Sequence, residues 1–103
     1  MTYAWIITTD HLFSDEGLPA LQDEAGTTGP RDAPAGLLAR LAGGEGRTFR
    51  MYDDDGELYY TGRILTGDVP GSEDDFGPLA DFGTPNAGCT EIRYRAGGRW
   101  VTL

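Results

Sequence analysis

Apolar and polar positions alternate most clearly in two stretches of this chain, and each predicts a β-hairpin. In the first, Phe49 and Met51 alternate with Arg50 and Tyr52, Asp53-Asp54-Asp55-Gly56 interrupts, and Leu58, Tyr60 and Ile64 resume the pattern. Gly56 suits the left-handed residue that a tight turn requires. With Tyr52 opposite Glu57, Met51 faces Leu58 and Phe49 faces Tyr60 on an inner side, while Arg50 faces Tyr59 on an outer one. A one-residue slip would mix these sets. In the second stretch a loop at Ala96-Gly97-Gly98-Arg99 pairs Tyr94 with Val101 and Ile92 with Leu103 inside, leaving Arg95 beside Trp100 outside.

Tyr3 to Thr9 is rich in aromatic and β-branched residues and predicts a further strand. From Asp10 to Arg31 the glycines, prolines and acids predict a long loop, with at most one helical turn after Ser14. One short helix follows, with Asp32 as N-cap, Pro34 in the first turn, Leu37, Leu38 and Leu41 on one face, and Gly43-Gly44 as the stop. A helix this short is marginal alone and needs a sheet to receive its leucines. Thr66 to Gly88 predicts a second long connection, and a loop of that length must pack over a face or serve a function. The expected fold is therefore α+β: four or five mostly antiparallel strands, one short helix on the inner face, and two long acidic loops.

Charge sharpens this picture. The 103 residues carry 8 Lys+Arg against 17 Asp+Glu, a net of −9, which argues against binding duplex nucleic acid or anionic lipid as the main activity. The acids concentrate in the loops: residues 10–32 hold six acids against Arg31, and residues 66–88 hold five acids and no arginine. Six of the eight arginines lie on or beside the hairpins. The outer face thereby mixes Arg50, Arg93 and Arg95 with Tyr52, Tyr59 and Trp100, and large aromatics on a sheet face need covering. Either the acidic loops fold back over it, the favoured expectation, or it stays open as a contact surface. A single Cys and a single His exclude an intramolecular disulfide and a Cys/His structural zinc site. No apolar run approaches the roughly 20 residues of a membrane span, and Met1 is followed by no basic segment with a long apolar stretch, so a cytoplasmic protein is expected.

Several constellations have the right residue types for chemistry. Asp53-Asp54-Asp55-Gly56-Glu57 clusters carboxylates as a calcium loop does, but no glutamate follows Gly56 at the position where such a loop closes, which favours a solvated turn and no metal. Asp10, His11 and Cys89 could supply an acid, a base and a nucleophile for a small-molecule or hydrolytic site. No nucleophile motif surrounds Cys89, which fits a small buried residue at the start of a strand. Gly26-Thr27-Thr28-Gly29-Pro30-Arg31 lacks the spacing of a phosphate loop, and it and Gly83–Gly88 are expected to be structural turns. An acidic mimic of nucleic acid, inhibiting a DNA-binding protein, would need carboxylates at phosphate spacing on rigid structure. Solubility explains the same charge more simply.

Trp5-Ile6-Ile7-Thr8-Thr9-Asp10-His11, Gly29-Pro30-Arg31, the run from Phe49 to Tyr60, and Pro85-Asn86-Ala87-Gly88-Cys89-Thr90 resemble stretches of small acidic proteins from actinobacteria and their mobile elements. The likeness covers most of the chain. It implies no established activity, cofactor or site residue, and favours a free-standing small protein over an enzyme fragment. The function expected from the residues is a non-catalytic protein-interaction module contacting its partner through Tyr52, Tyr59, Arg93, Arg95 and Trp100, without a cofactor. The partner's identity and the oligomeric state stay open.

Overall fold

Among the described residues, strand alternation produces one antiparallel sheet of six strands, one more than the upper sequence expectation. The computed structural model describes residues 3–14, 24–66 and 73–103. The strands are β1 (Tyr3–Asp10), β2 (Thr28–Gly29), β3 (Arg47–Tyr52), β4 (Leu58–Thr66), β5 (Glu91–Ala96) and β6 (Arg99–Thr102), in the spatial order β2-β1-β4-β3-β5-β6. The additional strand is β2, two residues from the glycine-rich turn that pair with Trp5 and Ile6 at the sheet edge. Flanking backbone bonds from Ile7 N–H to the Thr27 carbonyl and from Gly26 N–H to the Ile7 carbonyl extend that pairing. The expected structural turn is thus recruited into the sheet. Among the described residues, three short α-helices accompany the strands: α1 (His11–Ser14), α2 (Ala35–Ala42) and α3 (Thr84–Ala87).

Both hairpins form, with different fidelity to the expected register. The second matches it: Tyr94 pairs with Val101, Arg95 with Trp100, and Leu103 N–H donates to the Ile92 carbonyl. Gly97 and Gly98, with φ of 58° and 83°, form the two-residue connection that only glycine adopts without strain. The first hairpin is displaced by two residues, so that Met51 faces Tyr60, Arg50 faces Thr61 and Phe49 faces Gly62. The cause is Asp53. Its backbone closes the loop onto Glu57, and its carboxylate accepts from the amides of Asp55 and Glu57 at 2.9 and 2.8 Å. This Asx-type turn moves the first pair outward, and a register shift between Met51 and Tyr52 takes up Tyr59 as an extra residue. Beyond that irregularity, which moves Leu58 opposite Tyr52 and Tyr59 to the core side, a two-residue displacement preserves which face each side chain occupies. Phe49, Met51, Tyr60 and Ile64 accordingly remain inside, with Trp5, Ile7, Ile92 and Tyr94.

The inner face is closed by the segment from Glu73 to Cys89 and not by the leucine helix. A 3₁₀ turn at Glu73–Phe76, a π-type turn at Leu79–Gly83 and α3 lay Phe82, Leu79 and Cys89 on the apolar strands. Phe82 packs its ring against Trp5 at 5.4 Å and Tyr60 at 4.9 Å between centroids. The segment is fastened at both ends of its path. Arg47 donates twice to the Asp75 carboxylate, at 2.5 and 3.3 Å, while the Tyr94 hydroxyl donates to the Asp75 carbonyl at 2.7 Å. Further along, Tyr3 hydroxyl and Trp5 Nε1 both donate to one Asp81 oxygen, at 2.6 and 3.1 Å. Burial together with the neighbouring carboxylates raises the Tyr3 and Tyr94 hydroxyls above the ordinary phenol range.

Helix α2 lies on the opposite face, over β1 and β4, which corrects the sequence expectation. Ala4, fully buried yet outside the main core, is small enough to let the helix approach there. Leu41 is fully buried beside the Arg63 side chain, whereas Leu37 and Leu38 are half-buried. Asp32 is not the N-cap: Pro34 occupies that position, no side chain caps the helix, and Asp32 sits in the preceding turn from Pro30 to Ala33. Gly43 terminates the helix as expected. The segment 15–23 and part of the second acidic loop, 67–72, lie outside the described residues.

Candidate functional site

The outer face is divided. α2 covers its β1–β4 half, and on the other half alternation brings Arg50 and Tyr52 of β3, Arg93 and Arg95 of β5, and Trp100 of β6 to one side of the sheet. Arg50 and Arg93 are direct cross-strand partners, a juxtaposition of like charges that costs stability unless each is diverted. Each is. The Arg93 guanidinium lies 4.2 Å from the Tyr52 ring centroid and is ion-paired with Glu91, and the Arg50 guanidinium lies 4.3 Å from the Trp100 centroid. Arg95 approaches the same indole from its cross-strand position at 5.8 Å. Such contacts contribute about 0.5–1 kcal/mol each at exposed positions, so they fix orientation more than they stabilise the fold.

Among the described residues, Glu91 is the only carboxylate ion-paired to this group of arginines. Arg50 Nε is buried without a hydrogen-bond partner among the described residues, and neither Arg50 nor Arg95 forms an ion pair among them. The described part of the acidic loops does not cover this face; the expectation that those loops fold back over it falls in part on residues 15–23 and 67–72, which lie outside the described residues. On the other side, apart from Arg47 and Asp10, the strand residues facing inward are mainly apolar, and the Glu73–Cys89 segment carries the matching apolar side chains. His11 stands beside this surface, with Nε2 2.8 Å from the Thr61 hydroxyl. Burial, reinforced by Arg50, lowers its pKa below the ordinary imidazole value, and Asp10 only partly opposes this.

Four of the five expected contact residues therefore assemble: Tyr52, Arg93, Arg95 and Trp100. Tyr59 does not. The irregularity that displaces the hairpin register turns it against the core side, and the nearby Asp53 carboxylate raises its hydroxyl above the ordinary phenol value. Arg50, at the centre of the group, was legible from its alternation with Phe49 and Met51.

Asp10, His11 and Cys89 are not assembled for catalysis. Asp10 accepts from the amides of Leu12 and Glu24 at 3.0 and 3.1 Å, fixing the turn into α1. His11 meets Thr61 on the outer face, whereas Cys89 is fully buried in the core against Met51 and Gly83, with the sheet between them. Desolvation pushes the Cys89 thiol up to about 11, the wrong direction for a nucleophile. Native protein at pH 8 is accordingly expected to leave Cys89 unlabelled by a thiol reagent, with full labelling after unfolding. Rapid native labelling at the rate of a free thiol would contradict this placement.

The other constellations resolve structurally. The carboxylates of Asp53, Asp54 and Asp55 lie within 4.8 Å of one another, but Asp53 is committed to the amides of Asp55 and Glu57. An open pocket of about 410 Å³ lies between Trp5, the Gly29-Pro30-Arg31 turn and Asp81. Sequence offered no signal for it, because Trp5 and Asp81 are 76 positions apart. No helix among the described residues is long and apolar enough to cross a membrane. No protein-family model, curated protein or solved structure matches the chain.

Proposed function

We propose that this protein is a non-catalytic protein-interaction module whose contact surface is the arginine and aromatic face of β3, β5 and β6. One observation carries the proposal: a chain of net charge −9 holds Arg50 and Arg95 around a half-exposed indole, without ion-pair partners among the described residues. Arginine and tryptophan are the side chains that most often anchor interfaces, and stacking spends little further entropy when a partner arrives. The partner chemistry that fits is a protein segment bearing carboxylates, with the chain's own acids discouraging wrong orientations. Within the actinobacterial group it resembles, the protein acts through binding and not through turnover.

The separation of His11 from Cys89 weighs against the hydrolytic alternative. Acidic mimicry of nucleic acid is weakened because Asp10, Asp53, Asp75 and Asp81 are each held in internal hydrogen bonds. In pull-downs from native lysate, wild type is expected to retain a specific partner that a Trp100→Ala, Arg95→Glu double variant loses. The double variant should keep the wild-type melting temperature to within a few degrees, since both positions lie on the surface. Identical partner sets for the two proteins would overturn the proposal.

A further inference from the structure

Strand β6 is an outer edge of the sheet: among the described residues nothing pairs with its far side. The hydrogen-bond phase of the hairpin fixes which groups that edge offers. Leu103 N–H donates to the Ile92 carbonyl, so in an antiparallel ladder Leu103, Val101 and Arg99 bond inward to β5. The intervening residues, Trp100 and Thr102, turn their N–H and C=O groups outward.

This edge is short and carries Arg99, but it lacks other usual protections against a further strand. Arg99-Trp100-Val101-Thr102 contains no proline and no acid, and its pairing with β5 has no register shift. Its two sides also differ. On the core side, Val101 and Leu103 are 47% and 41% exposed, and the remaining large exposed apolar residue among those described, Phe76 at 46%, belongs to the turn fastened to Tyr94, the cross-strand neighbour of Val101. On the outer side lie Trp100, Thr102 and the arginines.

We infer that β6 accepts an extended segment of a partner protein as a seventh antiparallel strand, with acidic side chains alternating with apolar ones. The inference rests on the interaction surface proposed above and adds its geometry. Partner residues hydrogen-bonded opposite Trp100 and Thr102 present their side chains to the arginine side, where carboxylates meet Arg95 and Arg50. Residues between them fall on the other side, where apolar groups cover Val101 and Leu103. Main-chain bonds supply adhesion, and the alternation supplies selection. Charge complementarity selects this occupant over a second copy, because the edge carries arginine and each copy carries −9 overall.

The test uses a capped eight-residue peptide alternating valine and glutamate, with a control of the same composition arranged as a valine block followed by a glutamate block. Titration into isotope-labelled protein is expected to give saturable amide shifts centred on Trp100 and Thr102. Binding should weaken at least tenfold for the block peptide and for a peptide N-methylated along its pairing edge. It should weaken equally for Thr102→Pro, which removes an outward N–H that β5 does not use. The N-methylated peptide keeps the test valid should Thr102→Pro disturb the hairpin. No saturable shift up to about 1 mM peptide, the weak limit of specific binding, would overturn the inference. So would equal affinity for the alternating and block peptides, equal affinity for the N-methylated peptide, or a concentration-dependent dimer that Thr102→Pro abolishes. A lysate partner lost with Trp100→Ala, Arg95→Glu but retained by Thr102→Pro would leave the contact face standing and remove strand addition alone. Retention by both variants would remove both.

Discussion

Phe49→Ala is expected to lower the unfolding free energy by about 3–5 kcal/mol, the range for truncating a fully buried aromatic side chain. Phe49 is completely inaccessible and sits where β1, β4, β3 and β5 converge. Its ring meets Tyr94 edge-on at 5.9 Å and covers Gly62, where an added Cβ would fall 2.5 Å from Phe49 Cζ. Alanine would leave a void bounded by strand backbone, which cannot collapse to fill it. For a domain of ordinary stability, about 5–15 kcal/mol, this is a large fraction of the total. Urea denaturation should show a lowered midpoint with an unchanged slope. Phe49→Leu, which retains most of the volume, should lose far less. A Phe49→Ala protein within about 1 kcal/mol of wild type would show that this ring is not central to the core.

Asp75→Ala is expected to cost about 2–4 kcal/mol and to loosen the Glu73–Cys89 cover. Its carboxylate is almost wholly buried and holds the Arg47 guanidinium in a two-pronged bond, so removal strands a charge that has no comparable acceptor among the described residues. The Arg47 side chain is 31% exposed, which places the loss toward the lower end of the range for buried pairs. Its position over the Tyr94 ring, 4.8 Å from guanidinium to centroid, gives the stranded charge partial compensation. The diagnostic readout is Cys89. Because the Glu73–Cys89 segment shields this thiol, Asp75→Ala should accelerate its labelling under native conditions well beyond the change in global stability. Unchanged labelling would mean that the ion pair does not hold the cover down.

Much of the sheet was legible because period-two alternation is a local signal. Phe49/Arg50/Met51/Tyr52 and Ile92/Arg93/Tyr94/Arg95 announce their two faces in sequence, and four of the five expected contact residues follow from that alone. The second hairpin was legible down to its pairs, because Gly97-Gly98 permits one short connection. The first was not, because its register depends on how the Asp53 carboxylate closes the loop, and three successive aspartates look alike in sequence. Tyr59 was misplaced by that same ambiguity. The position of α2 was hidden for a different reason: its leucines declare a buried stripe without declaring which side of the sheet receives it. That choice is decided by competition with Phe82, Leu79 and Cys89, whose spacing through glycines and prolines follows neither the helix nor the strand period.

The alternation that separates the two faces has a consequence for how this chain can vary. Positions responsible for cohesion and positions available for recognition are immediate neighbours along β3 and β5, yet the sheet itself insulates one set from the other. Substitutions at Arg50, Arg93 or Arg95 can therefore drift or be retuned with little penalty to folding. Inserting or deleting one residue within either strand has the opposite character, since it would turn guanidinium groups inward and phenyl groups outward together. Evolution of this surface is confined to replacement at fixed length.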